Sequence, residues 1–121
     1  MNATAAASTI TIESRIQTTS GDVILAASDD VMFGAAAQLL STSGNVSITA
    51  DADANANGLG GQFFMADGAV INSGSGNITV QADEAITVGR MVSTRTVSLT
   101  SMSAGIVDGA DAGGADITAH A

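Results

Sequence analysis

The chain has 121 residues, with three arginines, no lysine and twelve aspartates and glutamates, for a formal net charge of -9. That balance excludes a phosphate-backbone binder, which needs clustered cations to displace counterions, and argues against an anionic membrane surface. Cysteine, proline, tryptophan and tyrosine are absent, which removes disulfides, thiolate catalysis and cysteine-based zinc sites and leaves little bulk for a deep globular core.

The first eight residues hold no basic region and no long apolar run, so no signal peptide is expected. No apolar run reaches membrane-spanning length. From there one phrase recurs: a small residue, a polar one, then apolar and polar in alternation. It reads Ser8-Thr-Ile-Thr-Ile-Glu-Ser14, then Gly21-Asp-Val-Ile-Leu-Ala-Ala27, then Gly44-Asn-Val-Ser-Ile-Thr-Ala50. It returns as Gly76-Asn-Ile-Thr-Val-Gln-Ala82, Arg95-Thr-Val-Ser-Leu-Thr-Ser101 and, partially, Ala115-Asp-Ile-Thr-Ala-His-Ala121. A second apolar stretch ends at Gly34, Gly68, Gly89 and Gly109. A third apolar stretch shows in Gly34–Leu40, Ala69-Val-Ile71 and Met91-Val-Ser93. Only the repeat starting at Gly44 is long, and the excess falls at 51–61.

Period-2 alternation of Val, Ile, Leu and Thr marks strands. Self-similarity at a fixed period marks a repeat architecture. Two or three short strands per unit, with Gly, Asn and Asp between them, predict an all-β chain: a parallel β-solenoid of about five coils, roughly twenty residues each, with one insertion at 51–61. One such domain covers 1–121, as a segment of a longer array or as a whole. The alternation predicts inward columns Ile10, Val23, Val46, Ile78, Val97, Ile117 and Ile12, Leu25, Ile48, Val80, Leu99, Ala119. Outward columns are Thr9, Asp22, Asn45, Asn77, Thr96, Asp116 and Thr11, Ile24, Ser47, Thr79, Ser98, Thr118.

These phrases resemble the repeats of giant bacterial surface proteins of the filamentous-haemagglutinin type. The residues that carry the resemblance are Gly44–Ala50, Met65-Ala-Asp-Gly-Ala-Val-Ile71, Gly76–Val80 and Gly114-Ala-Asp-Ile-Thr-Ala119. The resemblance implies a right-handed parallel β-helix serving as an exported stalk, matrix or fibre component, outside the cell or on its surface.

The most chemical-looking segment is the insertion. Asp53-x-Asn55-x-Asn57-Gly58 matches the first half of a calcium loop, where oxygens at alternate positions converge and a glycine makes the sharp turn. Asp51 adds a carboxylate just before it, so Asp51, Asp53, Asn55 and Asn57 are the candidate Ca2+ ligands. The bidentate glutamate of loop position 12 is replaced by Phe64, and the competing reading is a polar loop bulging from a coil. Asp29/Asp30, Asp51/Asp53 and Asp83/Glu84 are expected at one corner of successive coils, where they splay into water or share a cation.

Other features carry less. Asp108, Asp111 and Asp116 sit in glycine-rich turn sequence, and His120, the single histidine, is penultimate. Arg15, Arg90 and Arg95 are too few to hold an acidic polysaccharide. Of Phe63-Phe64-Met65, one face cannot take all three. No catalytic residues are identified, and the chain is not expected to be an enzyme. The expectation is a structural module whose uncapped coils stack end to end, with itself or with adjacent repeats. The alternative is calcium-dependent binding of a glycan or an ice surface through Thr9/Thr11, Ser47/Thr49 and Ser98/Thr100.

Overall fold

The computed structural model describes residues 2–5, 9–51, 60–108 and 117–119. Among these residues the chain is all-β. Three strands, β1 (Asn2–Ala5), β2 (Ile10–Ile12) and β3 (Arg15–Thr18), make a first rung with one strand on each of three faces. The path repeats as β4 (Val23–Ala27), β5 (Val31–Phe33) and β6 (Gln38–Ser41), then β7 (Val46–Ala50), β8 (Phe63–Met65) and β9 (Val70–Asn72). It continues as β10 (Ile78–Ala82), β11 (Ala85–Val88) and β12 (Arg90–Ser93), then β13 (Val97–Ser101), β14 (Gly105–Asp108) and β15 (Ile117–Ala119). Every strand pairs in parallel with its counterpart one rung away, giving three five-stranded sheets. The fold is a β-solenoid of about four full turns at about 23 residues per turn, slightly longer than the twenty expected.

The register explains why so few large side chains suffice. On the first face Val23, Val46, Ile78 and Val97 stack in one inward column, and Leu25, Ile48, Val80 and Leu99 in the next. The second face contributes Ile10, Val31, Phe63, Ile86 and Ile106. The third contributes Ile16, Leu39, Ile71, Met91 and Ile117. A stacking distance of ~4.8 Å keeps each column continuous, so the core is narrow and medium-sized side chains fill it. Alanines sit where faces meet at an angle: Ala27, Ala50 and Ala82 after the first face, Ala37 and Ala69 before the third.

Four expected column members belong elsewhere. Ile10 and Ile12 pair with Val31 and Phe33 on the second face, and Ile117 and Ala119 pair with Met91 and Ser93 on the third. Thr9 and Thr11 leave the first face with them. The physical reason is that alternation specifies a half-buried strand and says nothing about which face it occupies. The place of Ile10 and Ile12 in the first-face columns is taken at the N-terminal end by β1, whose Ala3 pairs with Leu25. The glycine marker also shifts. Ala66, not Gly68, is the counterpart of Gly34, since Met65 pairs with Phe33 and the turns Gly34–Ala37 and Ala66–Ala69 close with the same hydrogen bond. The fourth rung shortens this corner to Gly89 alone.

The corner between the third and first faces is held by two polar ladders. Inside, Ser41, Ser73 and Ser93 are buried. Ser73 Oγ donates to Gly76 O at 2.6 Å, Ser93 Oγ donates to the same oxygen at 2.7 Å, and Ser41 Oγ accepts from Gly44 N at 2.8 Å. Outside, each side-chain oxygen takes the next rung's backbone N–H. Asn45 N donates to Asp22 Oδ1 (2.8 Å), Asn77 N to Asn45 Oδ1 (2.9 Å) and Thr96 N to Asn77 Oδ1 (3.3 Å). Among the described residues no buried side-chain polar atom lacks a partner. Ser93 is the most committed member, because it also accepts from Arg95 N at 2.8 Å. Ser93→Ala removes both bonds and leaves that N–H without its acceptor. The expected loss is about 1–3 kcal/mol, read by denaturant unfolding, while the exposed Ser98→Ala stays within about 0.5 kcal/mol.

Candidate functional site

The corner between the first and second faces is where the acidic residues gather. The first-face strands β4, β7 and β10 each end on a buried alanine and turn at once, and aspartate suits such turns because its short side chain bonds nearby backbone. Asp29 and Asp30 lie here in the second rung, Asp51 in the third, Asp83 and Glu84 in the fourth. The rungs are tied together by backbone. Asp51 N donates to Asp29 O at 3.0 Å, Glu84 N to Gly61 O at 3.1 Å, and Ser103 N to Asp83 O at 2.8 Å. Asp30 Oδ1 accepts from Gln62 N at 3.0 Å. The expected stack of carboxylates at one corner is therefore present at Asp29, Asp30, Asp51, Asp83 and Glu84, all half-buried.

The insertion opens from this corner. From Ala27 to Val31, and from Ala82 to Ile86, the chain advances four residues; from Ala50 to Phe63 it advances thirteen. It departs at Asp51, whose φ of 63° places it in the left-handed region that aspartate tolerates better than most residues. It returns through Gly60 and Gly61, with φ of 83° and 97°. Gly61 is wedged between two acids: a methyl there would lie 3.1 Å from the Cβ of both Asp51 and Asp83. Beside the wedge is a pocket of about 100 Å3 lined by Thr49, Ala50, Asp51, Gln81, Asp83 and Met102.

Of the candidate calcium ligands, Asp51 is placed here, and Asp53, Asn55 and Asn57 lie outside the described residues. Among the described residues no group of three or more histidine or carboxylate side chains is arranged to hold a metal ion. A calcium ion takes six to eight oxygens. The described corner offers two carboxylates, Asp51 and Asp83, with the Thr49 hydroxyl and the Gln81 amide beside them. Such hard oxygen donors suit a divalent cation. Sequence reasoning missed Gln81 and Gly61 and assigned Thr49 to the hydroxyl face alone, because strand alternation marks Gln81 and Thr49 only as outward positions. The one available signal was the Gly60-Gly61 pair, which closes the insertion.

The remaining candidates separate. Asp111, Asp116 and His120 lie outside the described residues. Arg15 and Arg90 share an outward column on the third face but are three rungs apart, with Gln38 and Val70 between them. Phe63 and Met65 point inward and are buried, while Phe64 faces outward between Met32 and Thr87. The hydroxyl face narrows to the column Ser47, Thr79, Ser98 with Thr49 and Thr100 beside it, interrupted by Ile24 and Gln81. No helix among the described residues is long and apolar enough to cross a membrane.

No protein-family model matches the chain, and neither a curated protein nor a solved structure is detectably similar to it.

Proposed function

We propose that the chain is a structural module of an extracellular or cell-surface bacterial adhesin, matrix or fibre, and that it lengthens by stacking further rungs onto its own. The observation that carries this reading is the exposure of the fifth rung. In the inner rungs the column residues Val46, Ile78, Val31, Phe63, Leu39 and Ile71 are all at 0% exposure. In the fifth rung their counterparts open: Ile106 is 48% exposed and Ile117 41%, and Val97 and Leu99 are half-buried. Each sheet also ends there on a strand whose outer edge has no partner among the described residues. Apolar columns that stop in solvent beside a strand edge are a template for another rung. That rung comes from adjacent repeats of a longer chain or from a second copy. The acidic corner adds a control, since a bridging Ca2+ would relieve the repulsion between stacked carboxylates.

The test is negative-stain electron microscopy of the purified chain with calcium and with a chelator. Filaments one solenoid wide are expected, and their loss on chelation would assign calcium the controlling role. Ile106→Asp places a charge in the docking column and is expected to reduce filament mass at least tenfold, with the far-ultraviolet circular dichroism spectrum unchanged (about 1.4 kcal/mol per contact suffices). Dispersed particles in every condition would sink self-assembly.

A further inference from the structure

We propose that Met102 is a site of reversible oxidation to the sulfoxide, taking an uncharged peroxide as its oxidant. The chain carries no cysteine, tryptophan or tyrosine, so its five methionines are its most readily oxidised side chains. Met1 lies outside the described residues. The fold divides the other four. Met65 and Met91 stand in inward columns, the first paired with Phe33 and the second between Ile71 and Ile117, at 1% and 0% exposure. Met32 stands in the outward column of the second face, between Thr11 and Phe64, at 38%. Met102 is at 63%.

The surroundings of Met102 add a selectivity. Ser101 pairs with Ala82, and Met102 N donates to Ala82 O at 3.0 Å. Met102 therefore leaves the first face in the fifth rung where Asp83 leaves it in the fourth. Its side chain lines the pocket at this corner together with Asp51 and Asp83, and no arginine lines it. An anionic oxidant approaching the sulfur meets two carboxylates on a chain of net charge -9. That repulsion is screened by salt. Hydrogen peroxide is neutral and meets no such barrier.

In the oxidation a sulfur lone pair attacks one peroxide oxygen and the O–O bond breaks. The proton on the transferred oxygen passes to the departing hydroxide, which leaves as water. Sulfur is oxidised and the peroxide is reduced. Two thiols, acting through a sulfoxide reductase, return the thioether and give a disulfide and a water. The new oxygen at Met102 lies outside the core, so the rungs stay stacked. The same oxygen on Met65 or Met91 would sit among apolar columns without a hydrogen-bond donor.

The experiment is peptide mass spectrometry of the full folded chain during exposure to hydrogen peroxide, with each methionine's rate taken relative to its rate in urea. In the folded chain Met102 should react severalfold faster than Met32 and about tenfold or more faster than Met65 and Met91. The unfolding midpoint should not change when Met102 alone is oxidised, and a methionine sulfoxide reductase with dithiothreitol should restore the thioether. With the anion peroxymonosulfate, the Met102 rate should rise severalfold between about 0.01 M and about 1 M salt, while the peroxide rate stays level. Asp83→Asn should weaken that salt response. Equal relative rates at the four methionines, or Met32 reacting ahead of Met102, overturn the proposal. So does a Met102 rate with the anion that ignores salt, or a sulfoxide that the reductase leaves in place.

Discussion

Gly76→Ala is expected to destabilise the chain by about 3 kcal/mol, the upper end of overpacking costs, while Gly21→Ala leaves stability unchanged or slightly raised. Both glycines open the same corner of their rungs, and their local sequences, Gly-Asp-Val and Gly-Asn-Ile, are nearly alike. What differs is the rung beneath. A methyl on Gly76 would strike the backbone of Gly44, its carbonyl oxygen above all, and would also press on Asn45 N. A methyl on Gly44 would strike Gly21 O in the same way. Gly21 stands at the bottom of this stack, with nothing within 4 Å of the same position. A clash with backbone cannot be relieved by a rotamer change, so the rungs must separate. Separation stretches the bonds that cross between the two corners, Asn77 N to Asn45 Oδ1 and Val46 N to Asn77 O, together. Thermal unfolding should show Gly76→Ala lower by on the order of 10 °C, from the usual few degrees per kcal/mol. Gly21→Ala loses only unfolded-state freedom, a small gain. Equal midpoints for the two variants would mean that the rungs are not stacked in this register.

The same contrast shows how far the sequence could be read. Alternation in Val23–Ala27, Val46–Ala50, Ile78–Ala82 and Val97–Ser101 was enough to assign the first face and both of its inward columns, because those four strands lie in register. Ile10–Ile12 and Ile117–Ala119 carry the same alternation and lie on other faces. Local pattern reports burial, and only spacing along the chain reports the face. The spacing itself varies: 23 residues from Val23 to Val46, 32 to Ile78, and 19 to Val97. The insertion lengthens one turn. The loss of three corner residues before Arg90 and one before Val97 shortens another. Neither change disturbs the alternation on which the reading rests.

At the candidate site, the meeting of Asp29, Asp51 and Asp83 was legible because each follows a first-face strand at nearly the same offset. The wedge of Gly61 between Asp51 and Asp83 was not. It depends on where a thirteen-residue excursion re-enters the rung, and no periodicity encodes that. The corner ladders were half legible: Asp22, Asn45 and Asn77 align in sequence, but the serines of the inner ladder end or follow third-face strands too short to show a pattern.

Phe63→Ala should cost about 3–5 kcal/mol, and Phe64→Ala, one residue away, about 1 kcal/mol or less. The register makes the difference. Phe63 pairs with Val31 below and Ile86 above and is at 0% exposure, whereas Phe64 lies on the outer surface. Phe63 and Phe33 are the two aromatic rings of the core, at 5.8 Å between centroids and 66° between planes, an edge-to-face contact. Truncating Phe63 leaves a cavity that its neighbours cannot fill, because Val31 and Ile86 are fixed by backbone pairing on both sides and a narrow core has no second layer to collapse inward. A double-mutant cycle with Phe33→Ala isolates the ring contact, with an expected coupling of about 0.5–1.5 kcal/mol beyond area burial. The cycle also tests whether the rungs unfold as one unit. In a stacked array each rung contacts only its neighbours, so a defect at Phe63 in the third rung either lowers one shared transition or splits it in two. A single transition with an unchanged denaturant slope would show that the asparagine and serine ladders couple the rungs strongly enough to act together; a reduced slope would place the weak joint at the Phe63 rung, beside the insertion.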